Sequence, residues 1–66
     1  MARTYYTLAA IDKSNPQHGW NAQFGDYDKE VVEAEMVEYK ESGEWSKLKI
    51  IAHAPKDQSA AIAALN

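Results

Sequence analysis

The sequence predicts an α+β fold, with a three-stranded antiparallel sheet, one long helix and one short helix in the order β-β-α-β-α. Three observations predict it. Segments rich in β-branched and aromatic residues or in alternating apolar residues occur twice near the N-terminus and once after the midpoint. Between the second and the third of these predicted strands lies a segment with apolar residues at three- and four-residue spacing, which is typical of a helix. An alanine-rich segment, which predicts the short helix, follows the third strand.

Length and composition predict one small domain over residues 1–66, stabilised by burial without disulfide bonds because the chain has no cysteine. No apolar run approaches the ~20 residues of a membrane span, and the N-terminal apolar run is too short for a signal peptide. We therefore expect a cytoplasmic protein that is complete as written and has no membrane partner.

The first strand is predicted over residues 4–12, and both of its alternate faces are largely apolar. A strand that is apolar on both faces is typical of the centre of a sheet. Residues 13–19 are rich in turn formers and predict a hairpin loop. The second strand is predicted over residues 20–24, and Gly25 is expected to end it. The apolar residues of this strand, expected to face inward, are Trp20, Ala22 and Phe24.

The long helix is predicted to begin at an N-cap aspartate, either Asp26 or Asp28, with Asp26 favoured because Tyr27 then packs in the first turn. It is predicted to end near Ser42, with Gly43 as a left-handed C-cap. Its acids in the first turn suit the positive end of the helix dipole. The residues predicted to face the sheet are Val31, Val32, Met36 and Tyr39, with Glu35 among them.

The third strand is predicted over residues 47–52, where apolar and basic side chains alternate, and it ends before Pro55. A short helix capped by Asp57 or Ser59 follows. If the third strand lies beside the first, the strand order is 2-1-3 and all neighbours run antiparallel. The long helix then packs on one face, and the short C-terminal helix covers an edge or part of the other.

Charge is strongly segregated along the chain. Residues 26–44 carry eight of the ten acidic residues and only two lysines, whereas the other 47 residues carry five basic and two acidic residues. Taken as one helix, this stretch spans roughly 28 Å, so its acids follow one another about as closely as the phosphates of one DNA strand, ~3.4 Å apart. Two interpretations stay open: a solvated helix face, or a negative surface that binds a cationic groove.

The trio Asp26, Asp28 and Glu30 begins like a calcium-binding loop. However, Val31 and Val37 stand where that loop needs a glycine and a bidentate glutamate. A capped helix N-terminus explains the three acids better, so we expect no metal site.

Catalytic patterns are also missing. His18 and His53 are far apart in the sequence and lack further ligands at zinc-site spacing. Glu35 lies in the apolar stripe, and no second catalytic group has a defined place beside it. The chain shows no nucleophile elbow and no phosphate-binding glycine loop. We therefore expect no catalytic residues, no cofactor and no enzymatic activity.

Trp45 follows the helix C-cap, where it either packs in the core, the favoured interpretation, or anchors a partner. Lys47 and Lys49 share one face of the third strand. Together with Arg3 and a tyrosine they could form a nucleic-acid platform. The favoured interpretation is that they protect an edge strand from aggregation.

The chain resembles a family of small phage and prophage proteins over most of its length from Trp20 onward. The resemblance rests on residues 20–35, with a Phe-Gly-Asp-Tyr-Asp core at residues 24–28, on Tyr39, and on Leu-Lys-Ile-Ile at residues 48–51. Length, acidity and this pattern also resemble the small anti-CRISPR inhibitors of Pseudomonas mobile elements, in particular those aimed at type I-C systems. Such inhibitors block a crRNA-guided DNA-surveillance complex, and some present a DNA-like acidic surface. The resemblance implies a host complex with a basic DNA-binding groove as partner.

The expected function is therefore non-enzymatic inhibition of a type I CRISPR-Cas DNA-surveillance complex by an acidic DNA mimic. The protein is expected to act as a monomer in the host bacterial cytoplasm, without binding nucleic acid itself. The alternative is a phage accessory module that binds nucleic acid or self-associates through its sheet face. The residues expected to contact the partner are Asp26, Asp28, Glu30, Glu33, Glu38, Glu41, Glu44 and Trp45.

Overall fold

The computed structural model describes residues 3–66. Its strands and helices are β1 (Tyr5–Asp12), β2 (Trp20–Asp26), α1 (Lys29–Ser42), β3 (Trp45–His53) and α2 (Gln58–Leu65). Short 3₁₀ turns precede β2 and α2 at Pro16–His18 and Pro55–Asp57. The sheet has the order β2-β1-β3, and both pairings are antiparallel. The predicted α+β class and strand order are confirmed.

The central strand β1 is buried on both faces. Its four residues 7–10 are fully buried, although successive side chains of a strand point to opposite faces of the sheet. Each face therefore carries its own cover. On one face the Tyr39 ring of α1 stacks on Trp45, which pairs with Asp12 of β1. On the other face Gln58 of α2 donates a hydrogen bond to Thr7. The two helices thus lie on opposite faces of the sheet.

A β-bulge in β2 changes the predicted orientation of its side chains. Leu8 pairs with Phe24, whereas the next residue, Ala9, pairs with Ala22, so Gln23 is the extra residue. Because paired residues share a face, Phe24 lies on the α1 side, whereas Ala22 lies on the α2 side and is exposed. The prediction that the three apolar residues of β2 share one inward face is wrong.

The strand β2 also continues through Gly25, contrary to the prediction that this glycine ends it. Gly25 pairs with Thr7 and is followed in the strand by Asp26. The Tyr5 ring lies against it, and a Cβ added to Gly25 would sit 2.6 Å from Cε2 of that ring. A side chain at position 25 would meet this ring and force it to move, so the glycine lets the ring lie against the strand while the backbone keeps its regular pairing.

The helix α1 begins later and is shorter than the acidic stretch of the sequence. Asp28, rather than the favoured Asp26, is the N-cap, and its carboxylate accepts a hydrogen bond from the Glu30 amide at 3.0 Å. Gly43 ends the helix with φ 72° and ψ 9°, which confirms the predicted left-handed C-cap. The helix has 14 residues, or about 21 Å of length. The helix therefore covers only part of the acidic stretch 26–44, and its predicted end at Ser42 is confirmed.

The helix α1 is held to the sheet by a narrow stripe. Val32 is fully buried, and Met36 and Tyr39 are half-buried. Val31, predicted to belong to this stripe, is 40% exposed. Successive residues of a helix are rotated by about 100°, so Val31 lies on the flank of α1 when Val32 faces the sheet. Glu35 is half-buried on the same flank.

The strand β3 is longer than predicted, and α2 is the short C-terminal helix that the sequence predicts. β3 begins at Trp45 and ends at His53, beyond the predicted range 47–52 at both ends. Asp57 is the N-cap of α2, but its side chain makes no capping hydrogen bond. At the other end of α2, the Asn66 side chain accepts from the Trp20 amide at 2.7 Å and donates to the Trp20 carbonyl at 3.2 Å. These bonds attach the end of α2 to the start of β2.

Truncation of Val32 to alanine is expected to lower the free energy of unfolding by about 2 kcal/mol, since it removes buried methyl groups and leaves a cavity. The same truncation at the exposed Val31 is expected to cost less than about 0.5 kcal/mol. Chemical denaturation of both variants measures the difference. Equal losses in the two variants contradict the packing described for α1.

Gly25→Ala is expected to destabilise the protein by about 1–3 kcal/mol, because the new methyl group overlaps the Tyr5 ring. In a Tyr5→Ala background the same change is expected to cost much less. A double-mutant cycle from denaturation curves measures this coupling. Additive effects of the two substitutions would show that the ring does not impose the glycine.

Candidate interaction surface

Four of the acids predicted to contact a partner form one surface on α1. Glu30, Glu33, Glu38 and Glu41 are all exposed. At 100° per residue they fall within an arc of about 140°, centred opposite the buried Val32. We name these four residues the acidic ridge.

The two lysines of α1 do not interrupt the acidic ridge. By the same helical angle, Lys29 and Lys40 lie together on one flank, next to Glu33 and away from the other three acids. The ridge is not purely acidic, however. Ala34 and Val37 lie between its carboxylates, and Val37 is 55% exposed. The surface therefore combines negative charge with a small apolar strip.

Asp26 and Asp28 have local structural roles at the start of α1. Oδ1 of Asp26 accepts a hydrogen bond from the Asp28 amide at 2.8 Å, and Oδ1 of Asp28 in turn caps the Glu30 amide. Carboxylates at this position satisfy helix amides that have no partner within the helix, and they also favour the positive end of the helix dipole. The structure thus separates these two acids from the acidic ridge.

Trp45 lies on the α1 side of the sheet because of a second irregularity in pairing. Ile11 pairs with Lys47, but the next residue, Asp12, pairs with Trp45, so one residue of β3 is skipped at Ser46. The indole then stacks on the Tyr39 ring, with centroids 5.5 Å apart and an angle of 28° between the rings. Trp45 remains half-buried. It thus packs against the helix and still borders the surface.

Three open grooves meet at Trp45. Two of them flank Glu44, and we name these two together the Trp45 cleft; their volumes are about 490 and 300 Å³. The lining residues of the Trp45 cleft are Asp12, Lys13, Ser14, Glu38, Tyr39, Ser42, Glu44 and Trp45. The third groove, about 340 Å³, lies between Trp45 and the loop that contains His18. Through Glu38, the cleft adjoins the acidic ridge, so the ridge, Glu44 and Trp45 form one continuous region.

Asp12 adds a carboxylate that the sequence did not single out. Ser14 donates to its Oδ1 from the backbone amide at 2.8 Å and from the hydroxyl at 2.7 Å. These bonds favour the ionised form, so they lower the pKa of Asp12 from its ordinary value, the hydroxyl contributing most. The rim of the Trp45 cleft therefore includes a carboxylate whose ionised form is stabilised by hydrogen bonds.

The two histidines lie outside the acidic ridge and the Trp45 cleft, and His53 has a structural role. Nδ1 of His53 lies 2.7 Å from the Ala54 carbonyl and therefore donates, which leaves Nε2 to accept from the Thr7 hydroxyl at 2.6 Å. Thr7 in turn accepts from the Gln58 amide at 3.2 Å. This chain of bonds satisfies a buried hydroxyl between the sheet and α2, and Thr7 was not recognised from the sequence. His18 lies in the 3₁₀ turn that precedes β2.

The basic residues considered for a nucleic-acid platform are not brought together. The Arg3 guanidinium carbon lies 4.2 Å from the centroid of the Tyr27 ring. Lys49, by contrast, pairs with Ala9 of β1, and the six residue steps from Arg3 to Ala9 correspond to about 20 Å of extended chain. Lys47 is two residues farther along. Both lysines are exposed on β3, which is an edge strand.

Across residues 3–66, no group of three or more His, Cys, Asp or Glu side chains lies close enough to hold a metal ion. Within the same residues, no helix has both the length and the apolar character needed to cross a membrane.

Ser14→Ala is expected to raise the pKa of Asp12, because it removes the hydroxyl bond that contributes most to the lowered value. Since the pKa of Asp12 in the folded state lies below its ordinary value, this hydrogen bond stabilises the fold at neutral pH. The stabilisation is lost as the pH falls through the folded-state pKa of Asp12. A ¹³C NMR titration of the Asp12 carboxyl carbon measures the change, with Ser59→Ala as the control. An unchanged titration in Ser14→Ala contradicts the assigned cause.

Comparison of the chain with protein-family models, with curated proteins and with solved structures finds no match in any of the three.

Proposed function

We propose that this protein is a non-enzymatic inhibitor that occupies a basic DNA-binding groove of a host protein complex. The acidic ridge supplies the negative charge, and the side chain of Trp45, in the neighbouring Trp45 cleft, anchors the contact with the partner. The observation that carries the proposal is the arrangement of four exposed carboxylates opposite the buried Val32, with both lysines of α1 on one flank. Glu44 continues this charge past the C-cap.

The geometry supports mimicry of charge rather than of phosphate spacing. From Glu30 to Glu41 the helix rises about 17 Å, so the ridge carries roughly one charge per 5 Å. One DNA strand carries a charge every ~3.4 Å. Flexible lysine and arginine side chains can adapt to the coarser spacing, and the opposite charges speed association. A groove built for a phosphate backbone is therefore a suitable partner.

The resemblance to anti-CRISPR inhibitors directs the proposal to a type I, in particular a type I-C, DNA-surveillance complex. The protein then acts in the host bacterial cytoplasm as a monomer, with one copy opposing one stretch of DNA-binding groove. It needs no cofactor, since the contact is electrostatic and apolar. Direct binding to nucleic acid is not part of the proposal, because the acidic ridge repels phosphates.

Replacing Glu30, Glu33 and Glu38 together by glutamine is expected to weaken binding about 10- to 100-fold, since exposed ion pairs contribute roughly 0.2–1 kcal/mol each and act together here. The measurement is phage survival in a host with an active type I-C system. Titration of the purified surveillance complex with the variant gives the affinity.

A matched control separates the ridge from overall charge. Ala60, Ala63 and Ala64 are exposed on α2, and replacing all three by lysine shifts the net charge by the same three units. This variant is expected to keep full inhibition, while circular dichroism and unfolding curves confirm that both variants fold. Full phage protection by the glutamine variant would refute the proposal, as would equal losses in both variants.

A further inference from the structure

The Trp45 indole is a fixed aromatic surface beside charged groups. Tyr39 stacks on one of its faces, so the ring is held in place while the rest of it borders the Trp45 cleft. An aromatic ring attracts a cation placed over its face. Immobilising the ring in advance also lowers the ordering cost of binding.

The carboxylates around this ring are held on two connected segments. The Lys13 amide donates to the Glu44 carbonyl at 3.1 Å and thereby ties the start of the β1–β2 loop to the residue before β3. Asp12 on the first segment accepts two hydrogen bonds from Ser14, which hold the carboxylate and favour its ionised form. Lys13 lies in the same groove as a single ammonium group. With Glu38 on the second groove, the cleft presents three carboxylates against one lysine.

We infer that the Trp45 cleft receives an arginine side chain of the partner, whose guanidinium stacks on the indole and bonds to Asp12 and Glu44. A planar guanidinium both stacks on aromatic rings and forms paired hydrogen bonds with a carboxylate, whereas an ammonium is a compact, strongly hydrated charge. Tryptophan and arginine are also the residues most enriched where interfaces are strongest. The inference rests on the proposed function, because a basic DNA-binding groove is the source of the arginine.

The experiment needs no partner and uses the intact chain of 66 residues labelled with ¹⁵N. Blocked Gly-Arg-Gly is titrated in, and the indole N–H signal of Trp45 is followed by NMR. Trp45→Phe identifies that signal, and the Trp20 indole serves as an internal reference. Blocked Gly-Lys-Gly and Gly-citrulline-Gly test the other occupants, an ammonium and a neutral side chain of the same shape.

Two double variants with the same change in net charge locate the site. Asp12→Asn with Glu44→Gln removes both carboxylates of the cleft, and Asn at position 12 can still accept from Ser14. Glu30→Gln with Glu33→Gln removes two acids from the N-terminal half of the acidic ridge instead. Amide spectra of both variants show whether the fold is kept.

The arginine peptide is expected to shift the Trp45 signal, with at least about fivefold weaker binding for the lysine peptide and for the Asp12/Glu44 variant. The citrulline peptide is expected to give no shift of the Trp45 signal. The affinity of the Glu30/Glu33 variant for the arginine peptide is expected to stay within about twofold of that of the parent protein, because distant exposed charges are screened. The inference is overturned if the citrulline peptide shifts the Trp45 indole signal as much as the arginine peptide does, or if the arginine peptide does not shift it. It is also overturned if both double variants lose the same affinity for the arginine peptide.

This outcome is independent of the test of the proposed function. If the arginine peptide binds in the cleft but the ridge variant still inhibits fully, the proposed function fails and the guanidinium site stands. If the ridge variant loses inhibition while the peptide leaves Trp45 unaffected, the proposed function stands and the cleft is not its arginine site.

Discussion

The fold depends on the burial of both faces of β1. Residues 7–10 have no contact with solvent, and in so short a chain each face of the central strand needs a separate cover. The helix α1 provides one cover through Val32, and α2 provides the other through its contact with Thr7. The acidic ridge follows from this arrangement, because burying Val32 forces the opposite side of α1, with its carboxylates, towards solvent.

The acidic residues form one continuous stretch in the sequence, but in the structure they have two different roles. Asp26 and Asp28 accept backbone amides and begin the helix, so their charges stabilise local structure. The acidic ridge makes no comparable contribution to the packing of α1. Like charges three residues apart, such as Glu30 with Glu33 and Glu38 with Glu41, cost an isolated helix roughly 0.2–0.5 kcal/mol each. A surface of this kind gains most when a cationic partner offsets the repulsion, which is the physical basis of the proposed function.

The order of the strands and the C-terminal end of α1 could be predicted because they depend on local chemistry and simple connectivity. A strand apolar on both faces belongs in the centre, and a glycine after the last turn suits the left-handed C-cap found at Gly43. The candidate site was predicted in part. The exposed glutamates follow from helical periodicity, but the cleft at Trp45 does not, because it brings Asp12 at the end of β1 together with Glu44, which lies beyond the C-cap of α1.

The sequence by itself determined the number and order of the elements, the location of the negative charge and the residue that ends α1, since each depends on residues close together in the chain. Only the tertiary structure decided which face Phe24 and Trp45 occupy, why Gly25 sits inside a strand and where Thr7 finds its partners. The physical reason is that side-chain direction alternates along a strand. A single extra residue in one strand turns every following side chain to the other face, and its position depends on the fit between strands that are distant in sequence.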